Sequence, residues 1–414
     1  MKTNLLQKNI PKGWGNYTLE SLVDIYNGKT PLRSRNEFWD NGVIPWFTIE
    51  DLRRQGREIS NTSQKITNEA VKKTGIKILP KNTVLICCTA SVGECAFSTI
   101  ELATNQQFNG LVVKNSKILN EKFLYYIISS FDSHIRSLAG TTTFGFVSVG
   151  KLGSVKVLIP TIFDQKKIAE ILSSVDEEIK KVDDLISKTE ELKKGLMTEL
   201  FTKGIGHKKF KKTKIGVIPE DWGVVNLSEI GSNTIGLTYS PKDVVSDGGV
   251  LVFRSSNIFG NRIKYGDNVY VKKEIPNHLI TKRGDILLCT RNGSRNLIGK
   301  NAYIDTESEG NSFGAFMSVY RTQYSKFVFQ FFQSKFFKDQ VNQYLGATIN
   351  QITTKSLNSF LLPLPSMEEQ DKITRILISF DEKLETNKKL KEKLIHLKKG
   401  LMSDLLSGKV RVIK

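Results

Sequence analysis

The most constraining feature of this sequence is that its long segments occur twice. Leu192–Met197 (LKKGLM) recurs as Leu397–Met402 (LKKGLM), an offset of 397 − 192 = 205 residues. At the same offset Gln165, Ile168, Ile171, Leu172, Asp176 and Leu185 match Gln370, Ile373, Ile376, Leu377, Asp381 and Leu390. A fixed internal period indicates two structural copies in one chain, because each copy repeats the same set of elements.

Upstream of these segments the repeat is weaker. Ile10-Pro11 with Trp14 resembles Ile218-Pro219 with Trp222, and Val84–Cys87 resembles Ile286–Cys289. Each copy is therefore interpreted as a globular segment of about 150 residues followed by a long helix, which agrees with the prior for a chain of this length. The predicted division is residues 1–158 and 206–363 as globular domains, with residues 159–205 and 364–414 as helical segments and a C-terminal tail.

Apolar residues in both helical segments recur at alternating steps of three and four, with one skip at Thr189, which is typical of a coiled coil. Each helix should span about 35–40 residues, on the order of 55 Å. One apolar stripe on so long a helix needs a partner, and the other copy, running antiparallel, is the nearest one. The predicted interface is Ile168, Leu172, Val175, Ile179, Val182, Leu192, Leu196, Leu200, Ile373, Leu377, Phe380, Leu384, Leu390, Leu394, Leu397, Leu401 and Leu405.

Three residues interrupt this pattern and leave alternatives open. Asn387 falls where the first copy has Val182, so it either fixes the register of the pair or lies where the stripe drifts off the interface. Gly195 and Gly400 lie within strongly helical stretches. They indicate either a close approach by another helix or a helix end.

The globular segments mix apolar runs typical of strands with short helical patterns. The strand-like runs are Val84–Cys88, Leu111–Val113, Val250–Phe253 and Asp285–Cys289, and the clearest helical patterns are Phe123–Ser130 and Phe327–Phe337. The aromatic residues of Phe327–Phe337 are expected in the core. The predicted fold class is α+β: two globular domains joined by two long helices that form an antiparallel coiled coil, with an internal pseudo-two-fold repeat.

The charge of the chain favours a polyanionic partner. Lysine and arginine number 61 against 42 acidic residues, a formal charge of +19. Nucleic acid is the commonest large polyanion, although a merely basic protein has the same composition. No signal peptide or run of about 18 apolar residues occurs, and the four cysteines lie mostly in apolar runs, so a reducing cytoplasm is expected.

A search for catalytic motifs finds no phosphate-binding glycine loop and no Ser/His/Asp or Cys/His set, and no histidine pairs with a cysteine at zinc spacing. We therefore expect a protein that is not an enzyme and holds neither a metal nor a cofactor of its own. The stretch Lys203–Lys214 is interpreted as a solvated linker, with phosphate contact as the alternative.

Arginine can bond guanine through two hydrogen bonds, and asparagine or glutamine can bond adenine, so these residue types at candidate loops predict DNA contacts. Each could equally be an ordinary solvated or phosphate-contacting residue. The candidates in the first domain are Arg33, Arg35, Arg53, Arg54, Arg57, Thr141, Thr142 and Thr143. Those in the second are Arg254, Asn257, Arg262, Arg291, Asn292, Arg295, Asn296, Thr348, Asn350 and Gln351.

The duplicated layout, the two Leu-Lys-Lys-Gly-Leu-Met segments and the ending Leu405–Val412 resemble the specificity subunit of type I restriction–modification systems. Gly284-Asp285-Ile286-Leu287-Leu288 is also similar to the family, whereas the first domain has Lys81-Asn82-Thr83-Val84-Leu85 at that place. The resemblance covers essentially the whole chain.

This resemblance implies that each globular domain recognises half of a bipartite DNA target. The helices would set the spacing and dock two modification subunits, and restriction subunits would join through the complex. S-adenosylmethionine would belong to the modification subunits, and ATP and Mg²⁺ to the restriction subunits. Half-sites should lie about one turn apart, roughly 34–36 Å.

Two other classes of protein remain as alternatives at this point. A basic coiled-coil scaffold would show no salt-dependent DNA affinity. A protein that binds RNA or single strands would prefer unpaired strands.

Overall fold

The computed structural model describes residues 10–138, 146–345 and 350–412. The chain divides into two compact units: unit 1 comprises Met1–Asp183 with Lys389–Lys414, and unit 2 comprises Asp184–Lys388. Each unit therefore contains one globular segment and one portion of each long helix.

Unit 1 is built on a five-stranded sheet of order β2-β9-β6-β7-β4, a three-stranded sheet of order β5-β3-β8, and the antiparallel pair β1-β10. Its strands are β1 (Gly15–Thr18), β2 (Val23–Asn27), β3 (Ile44–Phe47), β4 (Glu58–Ile59), β5 (Gln64–Ile66), β6 (Val84–Cys87), β7 (Cys95–Ser98), β8 (Ala103–Thr104), β9 (Phe108–Val113) and β10 (Lys156–Ile159). Its helices are α1 (Leu19–Leu22), α2 (Ile49–Gln55), α3 (Asn68–Thr74), α4 (Glu121–Ser130), α5 (Asp132–Leu138) and α6 (Val149–Gly153), with a 3-10 turn at Asn36–Phe38; the long helix α7 (Ile162–Lys203) follows.

Unit 2 contains a four-stranded sheet of order β14-β23-β20-β21, a second of order β15-β19-β16-β22, and the pairs β13-β24, β11-β12 and β17-β18. Its strands are β11 (Phe210–Thr213), β12 (Gly216–Pro219), β13 (Gly223–Asn226), β14 (Gly231–Ile235), β15 (Val244–Val245), β16 (Val250–Phe253), β17 (Ile258–Phe259), β18 (Arg262–Ile263), β19 (Tyr270–Val271), β20 (Ile286–Cys289), β21 (Asn301–Tyr303), β22 (Ser312–Phe313), β23 (Met317–Thr322) and β24 (Leu361–Leu364). Its helices are α8 (Leu227–Ile230), α9 (Ser325–Gln333), α10 (Lys335–Tyr344) and α11 (Thr354–Asn358), followed by α12 (Met367–Leu406); 3-10 turns occur at Pro241–Asp243, Ser255–Asn257, Asn277–Leu279 and Arg295–Leu297.

The two units share one topology. The order β2-β9-β6-β7 corresponds to β14-β23-β20-β21, with antiparallel pairing throughout both sets. β3 pairs antiparallel with β5 and parallel with β8, as β16 does with β19 and β22. The predicted α+β class and internal repeat are confirmed.

The turn before the central strand shows how the first copy keeps the fold with a different sequence. Asn82 has φ = +69° where Gly284 has φ = +93°, and β6 and β20 begin two residues later in each case. Glycine adopts this left-handed conformation without penalty, and asparagine is among the few other residues that tolerate it. The departure of Lys81–Leu85 from the family pattern therefore preserves the turn.

The core of each unit lies between the central strand, a short helix and the long helices. In unit 1 Val84 and Ile86 of β6 pack with Phe123 of α4 and Ile168 of α7. In unit 2 the predicted aromatic segment is in the core, since Phe327, Phe331, Phe332 and Phe337 are at most 2% exposed. Phe327–Phe337 is two helices and not one, because Ser334 ends α9 and its hydroxyl caps α10.

The basic stretch predicted as a linker contains regular structure. β11 and β12 form an antiparallel hairpin in which Phe210 lies opposite Pro219. Lys208, Lys209, Lys211 and Lys212 are exposed. The lysines are solvated as predicted, and strand β11 lies within the stretch interpreted as a linker; phosphate contact stays an alternative.

The long helices pair antiparallel within each unit. In unit 1 Asp176 of α7 contacts Lys398 of α12 at 2.8 Å, and Asp183 of α7 contacts Lys391 of α12 at 2.6 Å. Residue numbers therefore increase along α7 in the direction in which they decrease along α12. The same trend holds in unit 2, where Glu190 and Lys193 contact Lys388 and Asp381 at 3.2 and 2.6 Å. α12, at 40 residues, has the predicted length, and α7, at 42 residues, is slightly longer than predicted.

Most of the predicted apolar stripe is covered, but three leucines are not. Ile168, Leu172, Val175, Val182, Leu200, Ile373, Leu377, Leu384 and Leu405 are buried, and Ile179, Leu196, Phe380, Leu394 and Leu401 are partly buried. Leu192, Leu390 and Leu397 are 64%, 43% and 51% exposed, so their placement in the interface is wrong. The steps of three and four continue instead through Thr189 and Lys193 in α7, and through Lys391 and Lys398 in α12, which turns the three leucines outward.

The structure also decides the alternatives left open for the interrupting residues. Asn387 is 8% exposed, so it lies on the interface and the stripe does not drift there. A Cβ at Gly195 or Gly400 would meet nothing within 4 Å, and both helices continue beyond these positions, to Lys203 and Leu406. The helix-end interpretation is therefore wrong, and within the described residues no other helix approaches either glycine closely.

None of the helices in the described part of the chain combines the length and apolar content needed to cross a membrane.

Candidate nucleic-acid interface

Unit 2 brings four loop segments together beyond the carboxyl ends of β16, β20 and β22. The backbone N–H groups of Thr290 and Arg291 both donate to the carbonyl of Phe316, at 3.1 and 3.0 Å. The N–H of Asn292 donates to the carbonyl of Asn350 at 3.3 Å, and Arg291 and Gln351 form an isolated β-bridge. We call the surface formed by residues 254–257, 290–296, 314–316 and 350–351 the strand-end surface of unit 2.

Several of the predicted DNA contacts in this surface instead hold its loops in place. Asn257 is fully buried, accepts a hydrogen bond from the N–H of Arg254 at 2.9 Å and donates to the carbonyl of Lys264 at 3.2 Å. Its prediction as a DNA contact is wrong, because both ends of its amide are used within the turn. Asn292 donates to the hydroxyl of Ser255 at 3.0 Å, and Asn350 donates to the carbonyl of Gly293 at 3.1 Å.

Two arginines of this surface are engaged by neighbouring groups. Arg254 pairs with the carboxylate of Asp267 at 2.8 Å. Arg295 is exposed but its guanidinium donates to the carbonyls of Asn342 and Leu345, at 3.4 and 3.5 Å, near the end of α10. These contacts favour a supporting role over a reading role.

The remaining polar groups of the surface face solvent. The guanidinium of Arg291 lies over the ring of Phe316 at 5.1 Å, and that ring is 56% exposed. Asn296 is exposed and Gln351 is partly exposed. These residues offer hydrogen-bond donors and acceptors on loops that the backbone contacts fix.

Arg262 is not part of the strand-end surface. It lies in the hairpin formed by β17 and β18 and approaches Glu385 of α12 at 3.7 Å. The sequence suggests a loop position for Arg262, whereas the structure places it in strand β18, with its guanidinium near the long helix.

Unit 1 has an equivalent surface after β3 and β6. Thr89 forms a β-bridge with Phe146, as Arg291 does with Gln351 in unit 2. Helix α2 begins directly after β3 and carries Arg53 and Arg54, which are exposed. Among the described residues Arg53 has no ion pair, whereas Arg54 pairs with Asp51 at 2.9 Å.

Asp51 ties helix α2 to the following loop. Burial by itself raises the pKa of its carboxyl group, but hydrogen bonds from Ser63, Arg54 and Thr48 outweigh this and hold the pKa below its usual value. The carboxylate therefore stays ionised at neutral pH and orients Arg54, which leaves Arg53 as the freer cation of this helix.

Arg33 and Arg35 lie in the loop between β2 and β3. The guanidinium of Arg33 is 3.8 Å from the ring centre of Trp39 and 4.8 Å from that of Trp46, and it donates to Gln64 at 2.6 Å. Cation–π contacts of this kind hold an exposed arginine in one orientation. Arg35 is exposed and lies 3.6 Å from Glu37.

Arg57 is a structural residue of unit 1. Its guanidinium contacts Asp176 of α7 at 2.5 Å and donates to the hydroxyl of Tyr126, and its side chain is only 20% exposed. Burial is the largest influence and by itself would lower the pKa of Arg57, but Asp176, Tyr126, Glu58 and Tyr125 together outweigh burial and raise it. The prediction of Arg57 as a DNA contact is therefore wrong.

The predicted contacts Thr141, Thr142, Thr143 and Thr348 lie outside the described residues.

The described residues contain no cluster of three or more His, Cys, Asp or Glu side chains arranged to hold a metal ion. Cys87, Cys88 and Cys289 are buried, and burial raises the pKa of Cys88 to about 12 and that of Cys289 to about 11. These thiols are protonated at neutral pH and behave as small apolar side chains.

The sequence interpretation missed the aromatic residues that support the exposed arginines. Phe316 follows β22 in the segment Gly314-Ala315-Phe316, where no periodicity marks it as exposed. Trp39 and Trp46 resemble ordinary core residues in the sequence, and Trp46 is indeed 1% exposed. An arginine near an aromatic residue is too common a pattern to have identified these pairs without coordinates.

The comparisons with known proteins agree with this architecture. The model of the type I restriction modification DNA specificity domain matches residues 11–189 and again residues 219–396. The type I restriction enzyme MjaVIII specificity subunit of Methanocaldococcus jannaschii is 30% identical over 97% of this chain and 94% of its own length. The family model thus matches once in each half of the repeat.

Two solved structures have the same fold over nearly the whole chain. The type I restriction–modification S subunit from M. genitalium superposes with a TM-score of 0.57 at 18% identity, covering 96% of this chain and 97% of that one. A chain from work on complex assembly and conformational transition of the type I R-M system superposes with a TM-score of 0.59 at 15% identity, covering 97% and 100%. With the family model matching both halves, this chain belongs to the type I restriction modification DNA specificity family.

Proposed function

We propose that this chain recognises a bipartite double-stranded DNA sequence, with each unit reading one half-site. The observation that carries this proposal is the strand-end surface of unit 2, where Arg291, Asn296 and Gln351 are accessible on loops fixed by backbone hydrogen bonds. Direct readout requires these residue types in a defined geometry, because base edges are distinguished by the positions of their donors and acceptors. The net charge of +19 supplies the attraction to phosphates.

The repeated topology supports two recognition domains that bind different DNA sequences. The bridge Arg291–Gln351 in unit 2 corresponds to Thr89–Phe146 in unit 1, so the same place in the fold carries different chemistry. We therefore expect the two half-sites to differ in sequence.

The exposed residues of the long helices support docking of two modification subunits. Leu192 and Gly195 of α7 are exposed, and their equivalents Leu397 and Gly400 of α12 are exposed as well. An exposed leucine beside a helical glycine, identical in both copies, suits close packing of a partner against the helix. We call Leu192 with Gly195 and Leu397 with Gly400 the two docking patches; two equivalent patches suit two copies of one partner.

The chain itself is proposed to be non-catalytic and to act in the cytoplasm. S-adenosylmethionine would bind to the modification subunits, which would methylate adenine, and ATP and Mg²⁺ would bind to restriction subunits recruited through the complex. Helices α7 and α12 each contribute residues to both units, which suits a spacer that sets the distance between half-sites at about 34–36 Å.

The proposal is tested by sequencing methylated adenines in the host genome with and without this gene. The expected result is one bipartite motif that disappears with the gene. Filter binding of the purified complex to a duplex containing this motif should show steep salt dependence and at least 10³-fold preference over an unrelated duplex, roughly the lower end for specific binding. A scaffold, which family membership does not favour, would leave the methylation pattern unchanged.

A further inference from the structure

We propose that Arg291 is a specificity-determining residue of unit 2, and that it reads a guanine of its half-site in the major groove with Phe316 supporting its guanidinium. This inference rests on the proposed function and adds the residue and the base that it reads. Arg291 has three properties that suit this role: a fixed backbone, a supported guanidinium and an accessible donor edge.

The backbone of Arg291 is held from two sides. Its N–H donates to the carbonyl of Phe316 at 3.0 Å, and its β-bridge with Gln351 ties it to the segment before α11. The neighbouring N–H of Ile352 donates to the carbonyl of Thr290 at 2.8 Å. Base readout requires such rigidity, because a misplaced guanidinium cannot form two hydrogen bonds to one base.

The side chain of Arg291 is supported by the ring of Phe316, the same residue whose carbonyl accepts a hydrogen bond from the backbone N–H of Arg291. The guanidinium lies 5.1 Å from the centre of Phe316, within the range of a cation–π contact. A guanidinium that packs over a ring instead of against an acceptor keeps its N–H groups free, and two of these N–H groups match the O6 and N7 acceptors of guanine.

The other candidates in the surface lack this combination. Asn257 is buried, Arg254 pairs with Asp267, and Arg295 donates to two carbonyls near the end of α10. Among the described residues Arg291 has no ion pair. It is therefore the arginine of this surface whose hydrogen-bonding edge is accessible, supported and unused.

The test uses the full chain assembled with its modification subunits. Arg291→Ala, Arg291→Lys and Phe316→Leu are compared with Arg283→Ala; Arg283 is exposed and precedes β20, whereas Arg291 follows it, so the two arginines lie at opposite ends of one strand. Motifs are mapped from methylated adenines, and dissociation constants are measured on duplexes with each of the four bases at every position of the unit 2 half-site.

The expected result is that both Arg291 variants lose discrimination at one guanine position by about 5- to 150-fold, with the unit 1 half-site unchanged. Phe316→Leu should relax the same position to a smaller extent, and Arg283→Ala should leave the motif intact. Lysine should not rescue, since it keeps the charge but lacks the two-pronged planar edge.

The inference is overturned if Arg291→Ala weakens all duplexes equally, lowers the salt dependence by about one charge and is rescued by lysine, because these are the properties of a phosphate contact. It is also overturned if the wild-type motif persists in every variant. If the wild-type complex itself yields no sequence motif, the proposed function fails, and that result is distinct from either of these outcomes.

Discussion

The ammonium group of Lys193 on α7 lies 2.6 Å from the carboxylate of Asp381 on α12, inside unit 2. The same pair recurs in unit 1 with the helices exchanged, since Lys398 of α12 lies 2.8 Å from Asp176 of α7. The two lysines are 205 positions apart in the sequence (398 − 193), and so are the two aspartates (381 − 176). A helical residue of the globular segment completes each pair: Gln330 donates to Asp381 at 3.0 Å, and Tyr126 donates to Asp176 at 2.8 Å.

Removing the carboxylate from the unit 2 pair should destabilise the chain. In Asp381→Leu the ammonium of Lys193, whose side chain is 9% exposed, would lose its counter-charge. We expect a loss on the order of 2 kcal/mol, below the usual cost for a fully buried pair because Asp381 is 31% exposed. The double variant Lys193→Met/Asp381→Leu should recover most of this loss, because apolar side chains of similar volume fill the site without a charge. Thermal unfolding of the wild type, Asp381→Leu, Lys193→Met and the double variant forms the cycle. A double variant no more stable than Asp381→Leu would contradict the prediction.

Lys193 should also give the stability of unit 2 a dependence on alkaline pH. Burial lowers its pKa below the ordinary 10.5, and Asp381 offsets this only in part. Because the folded state binds the proton less tightly than the unfolded state, the contribution of Lys193 to stability increases as pH rises from the lowered pKa towards 10.5. Urea unfolding between pH 8 and about pH 10.5 should show this increase in the wild type relative to Lys193→Met. Parallel curves for the two proteins would contradict the prediction.

Equivalent substitutions should act on different units. Asp176→Asn removes the negative charge beside both Lys398 and Arg57, whereas Asp381→Asn affects Lys193 in unit 2. Hydrogen exchange followed by mass spectrometry should show faster exchange in α4 and β6 for Asp176→Asn, and in α9 and β20 for Asp381→Asn. The effect in unit 1 should be the larger, because both Lys398 and Arg57 lose the negative charge of Asp176 there, although Arg57 keeps Glu58 at 3.4 Å. Equal protection changes in both units from either substitution would contradict the assignment.

Replacing either exposed helical glycine with alanine should raise the stability of the isolated chain and weaken its binding to the modification subunit. Gly195→Ala and Gly400→Ala should each stabilise the isolated chain by about 1 kcal/mol, because alanine favours the helix and its Cβ meets nothing within 4 Å. Both should weaken binding of the modification subunit if a partner helix packs on the glycines. Gly150→Ala in α6, which also has open space around it, is the control that should leave binding unchanged. Calorimetric titration measures the affinities, and unaltered binding by all three variants would remove the glycines from the docking patches.

Each exposed leucine, Leu192 or Leu397, should be required for binding one modification subunit. Leu192→Lys or Leu397→Lys should leave the thermal midpoint nearly unchanged, since both side chains are more than half exposed. Each single variant should bind one modification subunit and the double variant none, as native mass spectrometry would show. Ile118→Lys, at a 48% exposed position outside the helices, should still bind two. Two partners bound to either single variant would exclude the patches as docking sites.

The sequence predicted the parts of the fold that depend on local periodicity. The repeat, the two long helices and the aromatic core around Phe327 and Phe331 were all predicted from spacing and residue type. The coiled-coil interface is predicted wrongly at Leu192, Leu390 and Leu397, because in each case the lysine that follows the leucine takes the interface position. Lys193 and Lys398 occupy two of these positions in the structure, and identity between the copies does not distinguish them, because Leu192 and Leu397 are identical as well.

Two copies of one architecture, long amphipathic helices and a strongly basic character can all be inferred from the amino-acid sequence alone, because they follow from repeated segments, local periodicity and composition. Only the tertiary structure decided which polar residues are available for recognition. Asn257 and Arg57 have the chemistry of DNA contacts, yet their hydrogen-bonding groups are used by Lys264 and by Asp176. Arg291 is left accessible because Phe316 lies beneath it, 25 residues further along the chain (316 − 291), and a contact across that separation is set by folding.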